Sequence, residues 1–119
     1  MRHPAIQVSA HATQMARELA HRNDDLEQAA GWLKAMAHPM RLKLLCAIGD
    51  DEFGIRELLS LVGTTPSNVS LHLGVLLSSG LVSRRRRGNC HLYRVRYGRT
   101  MELIHAAREV FCSRRTRHN

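Results

Sequence analysis

TTPSNVSLHLGVLLSSGLVSRRRRGNCHLYRV, residues 64–95, joins a helical pattern to four consecutive arginines and then to a pattern of alternating side chains. Pro66 suits the first turn of a helix, because the N–H that proline lacks would have no partner there, and Thr64 or Thr65 can cap the same helix. Gly88–Asn89 suits a two-residue turn between antiparallel strands. The stretch therefore predicts a capped helix followed by a basic β-hairpin.

The helix that begins at Pro66 has an apolar face and a polar face. Residues at helical spacing predict the inward face: Val69, Leu73 and Leu76 or Leu77. Small hydroxyl and amide side chains suit base edges and phosphates, so the other face is a candidate contact surface for nucleic acid. The candidate contacts on this helix and at its cap are Thr65, Ser67, Asn68, Ser70, Leu71 and His72.

A shorter helix is predicted just before this one. GIRELLSLVG, residues 54–63, ends in a glycine that leaves only a tight turn before the cap of the next helix. Two short helices joined in this way form a helix-turn-helix, whose second helix can enter the major groove of DNA. An ordinary helical hairpin would show the same pattern, so the choice depends on the segment that follows.

The arginine-rich segment predicts a two-stranded wing. Its second half alternates, and this predicts two faces: Tyr93, Val95 and Tyr97 against Leu92, Arg94 and Arg96. Basic side chains at the tip of such a hairpin can reach the phosphates beside the groove that the helix occupies. The candidate phosphate contacts are Arg84, Arg85, Arg86, Arg87 and Asn89. Helix, helix and basic hairpin together predict double-stranded DNA as the partner.

The charge of the chain favours the same partner. The 119 residues carry a formal net charge of +8. No Asp or Glu occurs between Leu58 and Met101, whereas seven arginines do. Positive charge concentrated in this way favours an acidic polymer over a neutral small molecule. A solvated surface or a localisation tag would also be basic, and the arginine run alone does not separate these alternatives.

Two helices are predicted in the first part of the chain. Residues 8–22 permit a helix but show no clear apolar face. Asn23 or Asp24 can cap the helix that follows. The core face of this second helix is predicted from apolar residues at helical spacing: Leu26, Ala30, Leu33 and Ala37.

A third helix is predicted over PMRLKLLCAI, which starts with Pro39 and is followed by Gly49 as a stop. Leu42, Leu45 and Cys46 fall on one stripe of this helix, at spacings of three and four residues. We therefore expect Cys46 to be buried in the core.

The N-terminus and the cysteines indicate the compartment. The first residues contain no apolar run long enough for a signal peptide or a membrane span, so we expect a cytoplasmic protein with no membrane contact; an amphipathic transit peptide is the alternative. Three widely spaced cysteines predict thiols rather than a disulfide framework. There is no nucleophile elbow, phosphate-cradling glycine loop or zinc-protease motif, so we expect neither an enzyme nor a cofactor.

Taken together, the motifs resemble the ArsR/SmtB family of winged-helix repressors. The family's Ala-x-x-His-Pro-x-Arg-Leu sequence is similar to residues 33–48, LKAMAHPMRLKLLCAI. The family's recognition helix is similar to residues 68–82, NVSLHLGVLLSSGLV. The wing ending in LYRV is similar as well, and the resemblance extends from about Leu26 to Cys112. It implies a homodimer, held by the first and last helices, that binds a two-fold symmetric operator. Leu71 stands where the family commonly has glutamine, so the family's base preference does not carry over.

The predicted fold class is mainly α with a small β-hairpin, a winged helix-turn-helix of five to six helices. We expect three parts along the chain. Residues 1–23 form an N-terminal segment that can extend the dimer as a helix, residues 24–112 form the DNA-binding and dimerisation domain, and residues 113–119 form a basic tail.

The cysteines resemble those of one branch of that family, which includes BigR, SqrR and HlyU. Cys46 in RLKLLC and Cys112 in REVFC fit the spacing and local sequence of that branch's sensing thiols. The resemblance implies a repressor that binds DNA with its dithiol reduced and is released when a persulfide or polysulfide bridges the two cysteines. The alternative is a core residue and an incidental thiol. Cys90, in the wing, lies outside this pattern and is expected to be a spare residue; a peripheral redox handle is the alternative.

Two other functions stay open. One is a metal-responsive repressor, although the last predicted helix offers only scattered candidate ligands, Glu102, His105 and Glu109, and no metal site is predicted. The other is an architectural or anti-silencing DNA-binding protein without an inducer, in which the cysteines are inert.

Overall fold

The computed structural model describes residues 9–20 and 22–116. Within them the chain forms six helices and one antiparallel hairpin, which confirms the predicted fold class. The predicted segment 1–23 and tail 113–119 lie partly outside the described residues, although the last helix continues through residue 116. In chain order the elements are α1 (Ala10–Ala20), α2 (Asn23–Met36), α3 (Pro39–Ile48), α4 (Ile55–Val62), α5 (Pro66–Ser79), β1 (Val82–Arg87), β2 (Cys90–Val95) and α6 (Thr100–Thr116).

The chain divides into two compact units, Met1–Gly31 and Trp32–Asn119. In the first unit the Ser9 hydroxyl accepts a hydrogen bond from the N–H of Ala12 at 3.1 Å and so caps α1. The second unit contains the hydrophobic core. In the described parts of the chain, no helix is long and apolar enough to span a membrane.

The core lies where α3, α4 and α5 meet the hairpin. Leucines from all three helices are buried there, and Tyr93 and Val95 cover them from β2. Burying one leucine side chain stabilises a fold by about 1.5–3 kcal/mol, and such burial is the dominant favourable contribution to folding. The inward face predicted for α5 is confirmed by the burial of Val69, Leu73 and Leu76 and the partial burial of Leu77.

The core face of α3 differs from the predicted one. Leu44, Leu45 and Ile48 are buried. Leu42 and Cys46, one turn apart on another face, are both exposed. The expected burial of Cys46 is therefore wrong. Both stripes contain Leu45, but the observed one buries an isoleucine instead of a cysteine and so removes more apolar surface from water.

The predicted core face of α2 is also wrong. Leu26 and Leu33 are exposed, whereas Trp32 packs against the core. The indole N–H of Trp32 donates to the carbonyl of Ser79 at 2.9 Å, and its ring centroid lies 5.0 Å from that of Tyr97. Tryptophan has more surface to bury than leucine, and its polar N–H has a partner here, so its position decides which face of α2 turns inward.

A tight turn joins α4 to α5, as the sequence predicts. Gly63 has a φ of 65°, a region that residues with side chains rarely adopt, and its N–H donates to the carbonyl of Leu59 at the end of α4. The Thr65 hydroxyl then caps α5 by accepting a hydrogen bond from the N–H of Asn68 at 3.2 Å. These two caps fix the turn and therefore the start of α5.

The hairpin is closed by a two-residue turn. Arg87 pairs with Cys90 on either side of Gly88–Asn89, and Val82 pairs with Val95 at the other end. The glycine of the turn has a φ of 61°, which a tight hairpin turn needs at its first central position. The register therefore places all four consecutive arginines on one strand, with the last of them at the turn.

The second strand has one buried and one exposed face. Tyr93 and Val95, predicted to share a face, are both buried, whereas Tyr97 lies beyond the strand and is exposed. Phe53, which precedes α4, pairs with Tyr93 through two backbone hydrogen bonds of 3.0 and 2.8 Å. This pairing attaches the hairpin to the segment between α3 and α4, and nothing in the local sequence around Phe53 predicts it.

Candidate nucleic-acid interface and cysteine sites

The outward face of α5 consists of small side chains around one leucine. Ser67, Ser70, Leu71 and Gly74 are all exposed, and their spacing of three and four residues places them on one side of the helix. Leu71 is 62 % exposed. The helix contains no acidic residue, so this face presents hydroxyls and one apolar side chain without a negative charge.

The first turn of α5 is built by two of the predicted contact residues. Thr65 caps the helix, and the side-chain amide of Asn68 donates to the Thr64 hydroxyl at 3.1 Å. Asn68 is half-buried, whereas Thr65 is exposed. Backbone N–H groups at the N-terminal end of a helix favour a phosphate. These residues therefore position the end of α5 that suits the DNA backbone.

His72 points into the protein, so its predicted place on the outward face is wrong. It is 7 % exposed, and its ring stacks on that of His38 with centroids 4.2 Å apart. A guanidinium nitrogen of Arg41 lies 3.4 Å from its Nδ1. Burial first, and then the nearby charges of His38 and Arg41, lower the pKa of His72. Its spacing of three residues from the buried Val69 explains the inward orientation.

The four arginines of β1 are exposed, and so is Asn89 at the turn. One of the arginines has an acidic partner, because Arg85 forms a salt bridge with Glu52, which precedes Phe53. Its hydrogen bonds, and the charges of Arg94 and Arg87 nearby, lower the pKa of the Glu52 carboxyl and keep it ionised. The same bonds raise the pKa of Arg85. Glu52 and Arg85 are 33 residues apart, so no local pattern could have indicated the pair.

An apolar groove of about 530 Å³ lies between α2, α3 and α6. Leu33 lines it from α2, Leu42 from α3, and Ile104 and Cys112 from α6. Cys46 is one turn after Leu42 on α3, on the same exposed side of the helix. The helices that carry the two predicted sensing thiols thus meet at this groove, and Cys112 is part of its lining.

The third cysteine lies in the wing. Cys90 is exposed and lines a second cavity of about 650 Å³, together with Arg87 and His91 of the hairpin and the first residues of α4. This cavity is on a different part of the fold from α6, so Cys90 does not share the groove of Cys112.

The three candidate metal ligands of the last predicted helix lie on α6. Glu102, His105 and Glu109 are exposed. Among the residues that the structure describes, no group of three or more His, Cys, Asp or Glu side chains could hold a metal ion.

Comparison with known sequences identifies the helix-turn-helix. Residues 38–84 match the sequence model of the family described as "bacterial regulatory protein, arsR family". The matched segment runs from the cap of α3 to the first half of β1, so it contains both helices of the motif and their turn. The chain is also 35 % identical to the biofilm growth-associated repressor of Xylella fastidiosa over 86 aligned residues. The aligned residues make up 72 % of this chain and 75 % of the relative.

Solved structures of regulators have the same fold. The crystal structure of the transcriptional repressor BigR from Xylella fastidiosa superimposes with a TM-score of 0.68 and 32 % sequence identity. The match covers 82 % of this chain and 96 % of the BigR chain. A homodimeric winged helix-turn-helix DNA-binding domain from Mycobacterium bovis matches 82 % of this chain and 90 % of its own, with a TM-score of 0.67 and 28 % identity. These matches confirm the resemblance to the branch that includes BigR.

Proposed function

Because the chain belongs to the ArsR family of bacterial regulatory proteins, we propose that it is a homodimeric repressor that leaves its operator when reactive sulfur species bridge Cys46 and Cys112. Its family and fold make it a DNA-binding transcriptional regulator and not an enzyme. The observation that supports the sensing step is the exposure of both cysteines on helices that meet at one apolar groove.

In this proposal α5 occupies a major groove and the wing contacts the phosphates beside it. Ser67 and Ser70 lie on the outward face of α5, where their hydroxyls can reach base edges or phosphates. The exposed arginines of β1, with Asn89 at the turn, supply contacts whose strength falls steeply with salt concentration. The wing would therefore provide most of the affinity, and α5 the register on the duplex.

A homodimer would present two copies of α5 to the DNA. Leu33 on α2 and Leu103 and Val110 on α6 are all exposed. Apolar side chains gathered on two helices favour a protein partner over water. The Mycobacterium bovis domain of the same fold is described as homodimeric. Two-fold symmetry would place the two recognition helices about 34–36 Å apart, or a multiple of that distance, to match successive turns of DNA.

Both thiols are exposed in the single chain. Because Cys46 is exposed, a role as a small core residue no longer explains it. Cys112 faces the groove that also contains Leu42, one turn before Cys46. A direct disulfide requires Cα atoms within roughly 7 Å, and each inserted sulfur adds up to about 2 Å of reach. A pair held slightly too far apart for a disulfide would therefore respond to polysulfide more readily than to peroxide.

The bridging reaction needs only the sulfur donor as oxidant. One thiolate attacks an inner sulfur of a hydropolysulfide and displaces a shorter hydropolysulfide, which leaves a cysteine that carries a terminal –S–SH group. The second thiolate attacks the inner sulfur of that group and displaces hydrogen sulfide. The product is a trisulfide between the two cysteines, in which both thiols are oxidised and the donor's sulfane sulfur is reduced to sulfide.

Such a bridge would tie α3 to α6. In the proposal α6 belongs to the dimer interface, whereas His38, the residue that caps α3, stacks on His72 of the recognition helix. A new covalent link between α3 and α6 would therefore change how each recognition helix is placed relative to the dimer axis. Since the half-sites have a fixed spacing on DNA, a modest rotation suffices to lose one of them.

Fluorescence anisotropy tests this proposal with a labelled duplex selected by the protein from a random pool, at one fixed salt concentration. Polysulfide should weaken DNA binding by the wild type, whereas Cys46→Ser and Cys112→Ser should bind DNA without responding. Cys90→Ser is the matched control and should respond like the wild type. A wild type that keeps its affinity, or a Cys46→Ser variant that still responds, would contradict the proposal. Zinc added to the reduced protein identifies a metal-responsive repressor, because only such a repressor would then release the duplex.

A further inference from the structure

We infer that Leu71 reads the C5-methyl group of a thymine in each operator half-site, an inference that rests on the proposed binding of DNA through α5. Leu71 is the largest exposed apolar side chain on α5, with 62 % of its surface in contact with water. It is the sixth residue of a helix that starts at Pro66, in the half of a recognition helix that contacts base edges.

Packing in the hydrophobic core does not explain why position 71 is a leucine. Leu73 and Leu76, on the same helix, are 1 % and 0 % exposed, so the inward face of α5 is already filled by other leucines. A single exposed leucine is common on protein surfaces and indicates nothing by itself. Here, however, it lies on the same exposed side as Ser67 and Ser70, on a helix without acidic residues. The surroundings of Leu71 therefore suit a polyanion with an apolar group at the point of contact.

Gly74, three residues after Leu71, supports a close approach of a partner to this face. A glycine inside a helix costs about 1 kcal/mol relative to alanine. Apart from its chain neighbours and the nearby backbone of α5 itself, no atom of the described residues lies within 4 Å of the position that a Cβ would occupy at Gly74, so packing against the rest of the protein does not require the glycine. Its absent side chain leaves space beside Leu71 into which the edge of a base pair can come.

Thymine is the base that fits a leucine. Its C5-methyl is the one apolar group that an unmodified base pair presents in the major groove, where the other edges present hydrogen-bond donors and acceptors. A leucine placed against those polar groups would leave them without partners, which is unfavourable. The methyl group instead exchanges its contact with water for a contact with Leu71 and so gains the free energy of apolar burial.

Uracil substitution tests the inference, because deoxyuridine differs from thymidine only by the methyl group. Duplexes are first selected from a random pool with the wild-type protein, and each thymine is then replaced by uracil in turn. At one thymine per half-site, the replacement should weaken wild-type binding about fourfold, as expected for one buried methyl group. Leu71→Ala should bind thymine and uracil duplexes equally, whereas the neighbouring control Ser70→Ala should keep the wild-type preference for thymine.

A second selection with Leu71→Gln provides an independent readout. Glutamine pairs with the donor and acceptor of adenine in the major groove, so this variant should enrich adenine at the position where the wild type enriches thymine. Uracil that is tolerated at every position, or Leu71→Ala that remains sensitive to the same methyl group, would overturn the inference while DNA binding stands. Failure to enrich any duplex would overturn the DNA-binding function as well, so the two failures are distinguishable.

Discussion

Arg85 of the wing donates two hydrogen bonds to Glu52, one from Nε at 2.7 Å and one from Nη2 at 3.0 Å. A guanidinium that grips a carboxylate in this forked way can grip a phosphate with the same geometry. The acid comes from the segment between α3 and α4, and Arg87 and Arg94 of the hairpin lie close enough to lower its pKa. Glu52 therefore occupies a place on Arg85 that a DNA phosphate could take.

Replacing Glu52 with glutamine should strengthen DNA binding. Glu52→Gln removes a negative charge from the wing and frees the guanidinium of Arg85 for a phosphate. The slope of log affinity against log salt concentration should become steeper by up to about one. Anisotropy titrations over a range of salt concentrations measure both effects. Asp51→Asn is the control, because it changes the net charge equally at an exposed neighbouring position. An unchanged slope with unchanged affinity would show that Arg85 does not contact the DNA.

Acid should destabilise the protein through His72. The folded protein lowers the pKa of His72 below its ordinary 6.5, so between the two values the unfolded chain binds more protons than the folded one. Stability is therefore complete above the ordinary pKa and falls as the pH decreases toward the lowered value. Arg41 reinforces this effect, because its N–H next to Nδ1 can bond only to the unprotonated nitrogen.

Urea unfolding at about pH 8 and about pH 5, on either side of the ordinary histidine pKa, measures this effect. The wild type should lose more stability between these conditions than His72→Gln, whose amide oxygen can still accept a hydrogen bond from Arg41. His91→Gln, at an exposed position on the wing, should behave like the wild type. If His72→Gln and the wild type lost equal stability, His72 would have no part in the acid sensitivity.

The groove-lining face of α2 should be needed for the dimer. Leu33 and Leu61 are both 54 % exposed, but only Leu33 belongs to the apolar surface assigned to the dimer. Leu33→Gln should therefore shift the protein toward monomer in sedimentation velocity. It should also weaken DNA binding, because each monomer contacts only one half-site and the two contacts are no longer linked. Leu61→Gln, with equal exposure on α4, should stay dimeric. Equal behaviour of the two variants would remove Leu33 from the interface.

Two leucines of α5 should separate stability from recognition. Leu73 is 1 % exposed, so Leu73→Ala should lower the free energy of unfolding by about 2–5 kcal/mol, the usual cost of a core cavity. Leu71→Ala removes an exposed side chain and should change it by no more than about 0.5 kcal/mol. Urea denaturation of both variants measures the difference. A large loss of stability in Leu71→Ala would mean that this side chain serves folding and not DNA.

The helix-turn-helix and the wing could be predicted from the sequence because their signals are local. Pro66 and Thr65 mark the start of one helix, and a glycine follows each of α4, α5 and β1. The inward faces of α2 and α3 could not be predicted reliably, since each helix has apolar residues on two sides. Only the packed core shows that Trp32 and Ile48 turn inward while Leu33 and Cys46 do not.

The site was predictable to the same extent. The exposed positions on α5 follow from periodicity and those on β1 from charge, whereas His72 was misplaced because its three-residue spacing from Val69 outweighs its polarity. Glu52 and Phe53 were not identified at all. Their partners, Arg85 and Tyr93, lie more than thirty residues away along the chain, and contacts at that separation leave no local trace in one sequence.

Peptide mass mapping of polysulfide-treated protein tests the sensing account most directly. The treated protein is separated into DNA-bound and DNA-free fractions and digested without reduction. The account predicts that the DNA-free fraction contains the peptides of Cys46 and Cys112 joined with the added mass of at least one sulfur atom, and that the DNA-bound fraction contains them apart. Joined peptides in both fractions, or release from DNA while the two peptides remain separate, would contradict it.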